Sequence, residues 1–201
     1  MARTTGSDGE KTEAALREAA VNLIARFGYE AVTMRQLAHE VGVQAAALYR
    51  YFPTKEDLLF TLLKEHMDAL QSAWANAEPA NSTQDPKLRL GLFVENHIRF
   101  HVARRAATHV SNMELRSLSR DRLSTILRLR GAYEKELRAI LRDGAEQGLF
   151  AIEDVALTAI AIIQMITGVI VWFRPDERLS VDQVTRTYHT MTMRLVGAPE
   201  S

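Results

Sequence analysis

Residues 33–55 read TMRQLAHEVGVQAAALYRYFPTK, and the punctuation of this stretch decides the fold. Thr33 with Gln36 three places on is a capping box, in which each side chain satisfies a backbone amide that the first helical turn leaves orphaned. It predicts a short helix through Glu40, with Leu37, Ala38 and Val41 facing inward. Gly42 ends that helix, because glycine reaches the positive φ that a tight turn demands at no steric cost. A second short helix, Gln44 to Tyr51, follows at once, and Pro53 breaks it. Two short helices across a glycine turn form a helix-turn-helix pattern.

The pattern extends in both directions. Leu16, Ala19, Ala20, Leu23, Ile24 and Phe27 recur at spacings of three and four, so residues 10–27 form an amphipathic helix that Gly28 stops. Thr54 with Asp57 opens a longer helix toward Ala77, with Leu58, Leu59, Leu62, Leu63 and Leu70 on its buried side. From Glu78 to Pro86 the composition turns to Pro, Asn, Ser, Thr and Asp, which is a loop. Beyond it, helices are expected near 87–105, 107–118, 121–147, 152–173 and 181–196, with Gly148, Pro175 and Gly197 as breakers. No segment alternates with a period of two. The expected fold is all-α, an N-terminal helix-turn-helix three-helix head plus a C-terminal helical bundle, about nine helices in all.

Composition bounds the function. The chain has 201 residues, 47% hydrophobic and 25% charged, which is ordinary for a folded domain with a real core. It has no cysteine, which removes disulfides, thiolate metal sites and cysteine nucleophiles and fits a reducing cytoplasm. Met1 to Glu10 is polar, lacks the apolar run of a signal peptide, and reads as a frayed arm. Net charge is zero, and residues 1–60 hold seven Lys/Arg against eight Asp/Glu, which gives no electrostatic support to nucleic-acid binding. Residues 98–142 hold eleven Lys/Arg against four acids, a basic stretch that suits an anionic partner.

Phe27, Gly28, Thr33, Leu37, Ala38, Gly42, Val43, Leu48, Tyr49, Phe52, Lys55 and Leu58 together closely resemble the DNA-binding signature of the TetR family of bacterial transcription regulators. The resemblance covers about 50 residues and implies a dimeric repressor that grips double-stranded operator DNA until a ligand releases it. The physics agrees. A glycine turn lets the second helix cross the first and project its N-terminal half into a major groove. There Ala45, Ala46 and Ala47 allow close approach to thymine methyls, and Gln44 can offer its amide to adenine. Tyr49, Tyr51 and Lys55 are candidates for phosphates, with Thr33 and Arg35 completing the DNA-binding set. Arg3, Lys11 and Arg50 are further cations that could join. The family commonly has Ser or Thr where Ala45 to Ala47 stand. Leu48 and Phe52 read as core between the helices.

Residues 155–173, VALTAIAIIQMITGVIVWF, carry no charge and are long enough to raise a membrane span. Gln164, Thr158, Thr167 and Gly168 weaken that reading, and a helix apolar all round is otherwise one buried by its own domain and a second subunit. A homodimer is expected, with no membrane partner. The resemblance implies that the last two long helices pair into a four-helix bundle, which makes the operator palindromic. EQGLF (146–150) and WFRP (172–175) are similar to family members that regulate fatty-acid or sterol catabolism and respond to acyl-CoA thioesters. That resemblance assigns the apolar interior to an acyl chain and Arg99, Arg104, Arg105, Arg116, Arg120 and Arg122 to phosphates, against the plainer reading of a solvated helix face. The candidate effector-binding residues are Phe93, His97, Phe100, Arg104, Met113, Arg116, Met165 and Trp172, with Leu115 as a further wall. His97 and His101 stand at i and i+4, a spacing that can place two imidazoles on one metal, but no third ligand is evident.

The reading is a DNA-binding domain at 10–55 and a ligand-binding and dimerisation domain at 56–197. Residues 54–77 belong to both and are the expected lever between them. No catalytic residue, metal or cofactor is expected. The rival within the class is a repressor of a multidrug efflux gene that senses hydrophobic drugs. Outside it stand a small helical metal-binding protein or enzyme using His97 and His101, and a degenerate member that dimerises without reading DNA.

Overall fold

In a computed structural model the described residues are 5–77, 85–175 and 177–198, and they are helical without strands. In chain order the helices are α1 (Thr5–Phe27), α2 (Met34–Val41), α3 (Ala45–Tyr51), α4 (Lys55–Ala77), α5 (Pro86–Ala103), α6 (Arg105–Met113), α7 (Arg120–Glu146), α8 (Val155–Thr167), α9 (Val169–Trp172) and α10 (Val181–Leu195). A 3₁₀ turn at Leu115–Ser117 follows α6. The chain divides into two compact units, one of Met1–His66 with Ala106–Ile126, the other of Met67–Arg105 with Leu127–Ser201. The division falls inside α4 and α7.

The first unit buries Leu16, Ala20 and Ile24 of α1, Leu37 and Ala38 of α2, Leu48 of α3, Leu58, Leu59 and Leu63 of α4, and Val110 of α6. The Thr33–Gln36 box forms as expected: the Gln36 amide donates to Thr33 Oγ1 at 3.2 Å and the Thr33 amide to Gln36 Oε1 at 2.8 Å. Gly42 sits at φ 73°. Its amide donates to His39 O, and the Val43 amide to Ala38 O at 2.9 Å, the paired bonds of a Schellman stop. Thr54 and Asp57 exchange side-chain and backbone bonds at the start of α4 in the same way.

Segment 106–126, which the sequence places in the C-terminal part, clusters with the N-terminal helices, and three carboxylates fasten it there. The buried Glu114 accepts from the Tyr29 amide at 3.1 Å. Glu56 accepts from the Ser119 amide at 2.8 Å, and Asp57 pairs with Arg122. These hydrogen bonds and the Ser119 and Thr54 contacts hold both the Glu56 and Asp57 carboxyls below their ordinary range.

The second unit is built on Leu70 and Trp74 of α4, Leu90, Phe93, Val94 and Ile98 of α5, Tyr133, Leu137, Ile140 and Leu141 of α7, and Ile162, Ile166 and Val169 of α8 and α9. Its helices start on side-chain caps. Asp85 accepts from the Lys87 amide ahead of Pro86, and Asp154 accepts from the Ala156 and Leu157 amides at 2.8 and 3.0 Å. Ser180 and Gln183 form a second capping box. The Ala151 amide ties back to Val196 O at 2.8 Å.

Two expectations need correction. Residues 5–10 are helical rather than a frayed arm, since α1 begins at Thr5, while Met1 to Thr4 lie outside the described residues. The helix foreseen at 152–173 is two segments, because Asp154 caps it later and Gly168 interrupts it. Residues 78–84 of the foreseen loop lie outside the described residues.

Gly144 shows how closely the second unit packs. A Cβ built there would stand 2.0 Å from Phe150 Cδ2, so the ring lies directly on the helix backbone. Alanine is worth about 1 kcal/mol more than glycine within a helix, but displacing a buried ring costs about 1–3 kcal/mol. Gly144→Ala is therefore expected to lower stability by up to about 2 kcal/mol in a urea titration, and Gly144→Ala with Phe150→Leu to recover part of it.

Candidate functional site

On α3, Leu48 is fully buried and Phe52 just beyond it nearly so, which settles both as core. The opposite face presents Ala46, Tyr49 and Arg50 to solvent, spaced at three and four on one strip, with Gln44 exposed at its N-cap. Tyr49 is 47% exposed, far more than a packing tyrosine needs. Ala45 and Tyr51 are half-buried. Thr33 and Arg35 are exposed, although the Thr33 hydroxyl is engaged with Gln36 Oε1 at 2.9 Å. Lys55 is half-buried. Its ammonium donates to Glu30 O at 3.3 Å and lies 4.1 Å from the Tyr29 ring centroid, so it steadies the turn after α1. Arg50 stands with the reading strip more squarely than Lys55 does; its i+4 spacing from Ala46 was the available signal. Arg35 also borders a cleft of about 540 Å³ with Leu23, Phe27, Val32, His39 and Glu40.

The candidate effector residues divide between the units. Phe93, His97, Phe100, Arg104, Met165 and Trp172 belong to the second, Met113 and Arg116 to the first. Met113 is 55% exposed and Arg116 is exposed, so neither lines the interior that holds Phe93 and His97. At that interior, Phe93 meets Trp74 edge-on at 5.1 Å and stacks on Tyr133 at 5.0 Å. His97 Nδ1 lies 3.2 Å from the Tyr133 hydroxyl and Nε2 2.8 Å from Thr167 Oγ1. His101 stacks on His97 at 3.9 Å and donates from Nδ1 to His97 O at 2.8 Å. Both His97 nitrogens are thus bonded within the protein, and no group of three His, Asp or Glu suited to a metal occurs among the described residues. Tyr133 and Trp74 had no motif to mark them; only the packing of α4 against α7 brings them to His97.

The basic stretch is dispersed. Arg99 is held by Glu95 and Asp182 at 2.8 and 2.7 Å, and Arg122 by Asp57. Arg105 donates to Phe173 O at 2.9 Å, capping α9. Arg104 lies 4.4 Å from the Phe100 ring centroid, and Arg116 and Arg120 are exposed. Helices α8 and α9 bury Ala159, Ile162, Ile166 and Val169 inward, yet Leu157, Ile160, Val171 and Trp172 are exposed, as are Met191 and Leu195 on α10. Residues 155–172 are long and apolar enough to cross a membrane, but their inner face is spent on the protein core.

The sequence profile described as "Bacterial regulatory proteins, tetR family" matches residues 16–62, and that described as "Tetracyclin repressor-like, C-terminal domain" matches residues 83–196. The chain belongs to the TetR family. It is 24% identical over 200 residues to the HTH-type transcriptional repressor KstR2 of Rhodococcus jostii, covering 98% of this chain and 96% of that one. The TetR family transcriptional regulator PfmR of Thermus thermophilus superposes with a TM-score of 0.80 at 33% identity, over 92% of this chain and 99% of PfmR. AibR, solved in complex with isovaleryl coenzyme A and operator DNA, shares the fold at 24% identity with a TM-score of 0.82, over 94% of this chain and 100% of that one. The α2–turn–α3 element of this TetR-family chain is accordingly the DNA-binding head of a transcriptional regulator.

Burial pushes His101 from its ordinary 6.5 down to about 4, helped by the nearby Arg130 charge and opposed by the bond to His97 O. The folded state therefore keeps His101 neutral where the unfolded chain would protonate it. Stability from this group is complete above about pH 6.5 and is lost as pH falls toward about 4, by up to about 3 kcal/mol. Melting temperature should fall across that window, and more steeply than in His101→Gln, which cannot titrate. Parallel curves for the two proteins would exclude His101 as the group responsible.

Proposed function

We propose that this TetR-family regulator is a cytoplasmic repressor that binds a palindromic operator as a homodimer and is released by a small apolar effector, an acyl-CoA thioester. The observation that carries the DNA half is the outward strip of α3, Ala46, Tyr49 and Arg50, set directly after the left-handed turn at Gly42. Residues 10–55 act as the DNA-binding domain and 56–197 as the ligand-binding and dimerisation domain. In this reading Gln44, Ala45 and Ala46 meet base edges, while Thr33, Arg35, Tyr49, Tyr51 and Lys55, with Arg50, meet the phosphate backbone.

The exposed apolar residues of α8, α9 and α10 support the dimer, since large apolar side chains left on the surface in number are what a partner subunit would cover. The effector class is supported by the relatives. KstR2 is named as a repressor, AibR was solved with isovaleryl coenzyme A, and a further relative over 131 residues is the fatty acid metabolism regulator protein of Bacillus subtilis. Phe93, His97, Phe100, Met165 and Trp172 are the effector residues of this reading, with Arg104 toward the phosphates and Met113 and Arg116 less favourably placed.

No chemistry is needed. Effector binding weakens operator affinity because the effector binds two states of the dimer unequally, and α4 is the proposed carrier of the change. The test is a gel shift on fragments flanking the gene, with and without acyl-CoA thioesters, beside native mass spectrometry. A dimer that shifts a palindromic fragment and releases it on adding thioester is the expected result. If Arg35, Arg50 and Lys55 of each protomer meet one phosphate each, log K should fall with log salt at a slope of about −5. A dimer that binds the operator but ignores every thioester would overturn the effector class, and absence of sequence-preferring DNA binding would overturn the repressor reading.

A further inference from the structure

Arg122 stands in the first turn of α7, far along the chain from the helix-turn-helix, yet it belongs to the same compact unit and reaches the start of α4. Its Nη2 pairs with Asp57, and its Nε lies 3.8 Å from Glu56 Oε1. The guanidinium carbon lies 5.4 Å from the ring centroid of Phe60, one turn further along α4. One side chain thus meets positions 56, 57 and 60 of a single helix. The Arg122 side chain is 29% exposed, Glu56 32% and Asp57 27%, so solvent screens this pairing less than it screens a surface ion pair.

Glu56 and Asp57 follow Lys55 directly, and Lys55 is among the residues read above as meeting the phosphate backbone. Both carboxyls are held ionised. The Ser119 amide, donating at 2.8 Å, lowers Glu56, and the Thr54 hydroxyl at 2.7 Å, then Arg122, lower Asp57. Two negative charges here oppose an anionic polymer. Double-stranded DNA carries one charge per about 1.7 Å of its axis, and charges are felt across about 10 Å at about 0.1 M salt.

We infer that Arg122 is a positioning residue for operator binding: its guanidinium offsets the charge of Glu56 and Asp57 beside the phosphates and fixes the first turn of α4, on which Lys55 stands. The inference rests on the operator-binding reading above and adds to it a residue that acts through its neighbours. Glu114 steadies the same place, since it accepts from the Tyr29 amide at 3.1 Å and the Lys55 ammonium lies over the Tyr29 ring. A head without net positive charge is then workable, because a compensating cation comes from a later segment of the chain.

The experiment is fluorescence anisotropy of the full-length protein on a labelled duplex of the flanking fragment that the wild type shifts, at about 0.1 and about 0.4 M salt. The proteins are wild type, Arg122→Gln, Arg122→Lys, Glu56→Gln and the double variant Arg122→Gln with Glu56→Gln. Glutamine at 56 keeps an oxygen for the Ser119 amide and loses the charge. Expected at the lower salt are about tenfold weaker binding by Arg122→Gln, about threefold tighter binding by Glu56→Gln, and recovery of most of the loss in the double variant. Arg122→Lys keeps the charge and stays within about threefold of wild type, and the Arg122→Gln defect narrows to about twofold at the higher salt. Equal affinity of wild type and Arg122→Gln overturns the inference and leaves the repressor reading standing. A loss that Glu56→Gln does not restore and salt does not narrow marks a packing role and overturns it too. If Arg122→Gln does not fold, Glu56→Gln decides, since unchanged or weaker binding by that variant overturns the inference. A wild-type protein with no sequence-preferring DNA binding overturns the operator reading and this inference together.

Discussion

At Gly42 the backbone enters the left-handed region, and within two residues the Val43 amide has closed back on Ala38 O. Any other L-residue would be strained there, and a straight continuation of α2 would leave no second helix to present. The stop sets where α3 begins, and therefore which of its residues point outward. Leu48 and Phe52 are drawn into the core, so Ala46, Tyr49 and Arg50 are left on the solvent side. The strip that a DNA groove would meet is the remainder after the core has taken its share.

Charge plays a different part from the one its sequence distribution implies. The head carries no net positive charge, and several carboxylates in it are structural. Glu114 holds the Tyr29 amide, Glu56 the Ser119 amide and Asp57 the Arg122 guanidinium, so they fasten segment 106–126 to the first helices. Of these, Glu56 and Asp57 fall within the count of seven against eight and stay ionised, and the Arg122 guanidinium, from outside residues 1–60, offsets part of their charge. Some arginines of 98–142 are in turn occupied: Arg99, Arg122 and Arg138 in ion pairs, Arg105 on helix-end carbonyls.

The interior of the second unit is apolar with a few polar groups set into it, and the half-buried Arg130 stands near His101. His97 bonds to Tyr133 through Nδ1 and to Thr167 through Nε2, and burial keeps His101 neutral and raises Tyr133 well above the ordinary phenol range. Phe93, His97 and Phe100 were named from the sequence as candidate pocket walls, and all three are buried on α5. Met113 was drawn in by residue type alone, and at the end of α6 it is mostly solvent-exposed.

Local chemistry was enough to determine the all-α class, the helix starts at Thr33 and Thr54, and the stops at Gly28, Gly42, Gly148 and Gly197, because caps and glycine turns act within four or five residues. The same holds for the helix-turn-helix, whose residues are contiguous. What only the tertiary structure decided is which distant segments share a core: that 106–126 packs with the head, that Lys55 rests on Tyr29, and that Trp74 and Tyr133 come from α4 and α7 to meet Phe93 and His97 on α5. Apolar burial is non-directional, so an amphipathic stripe states that a face is covered but not by what.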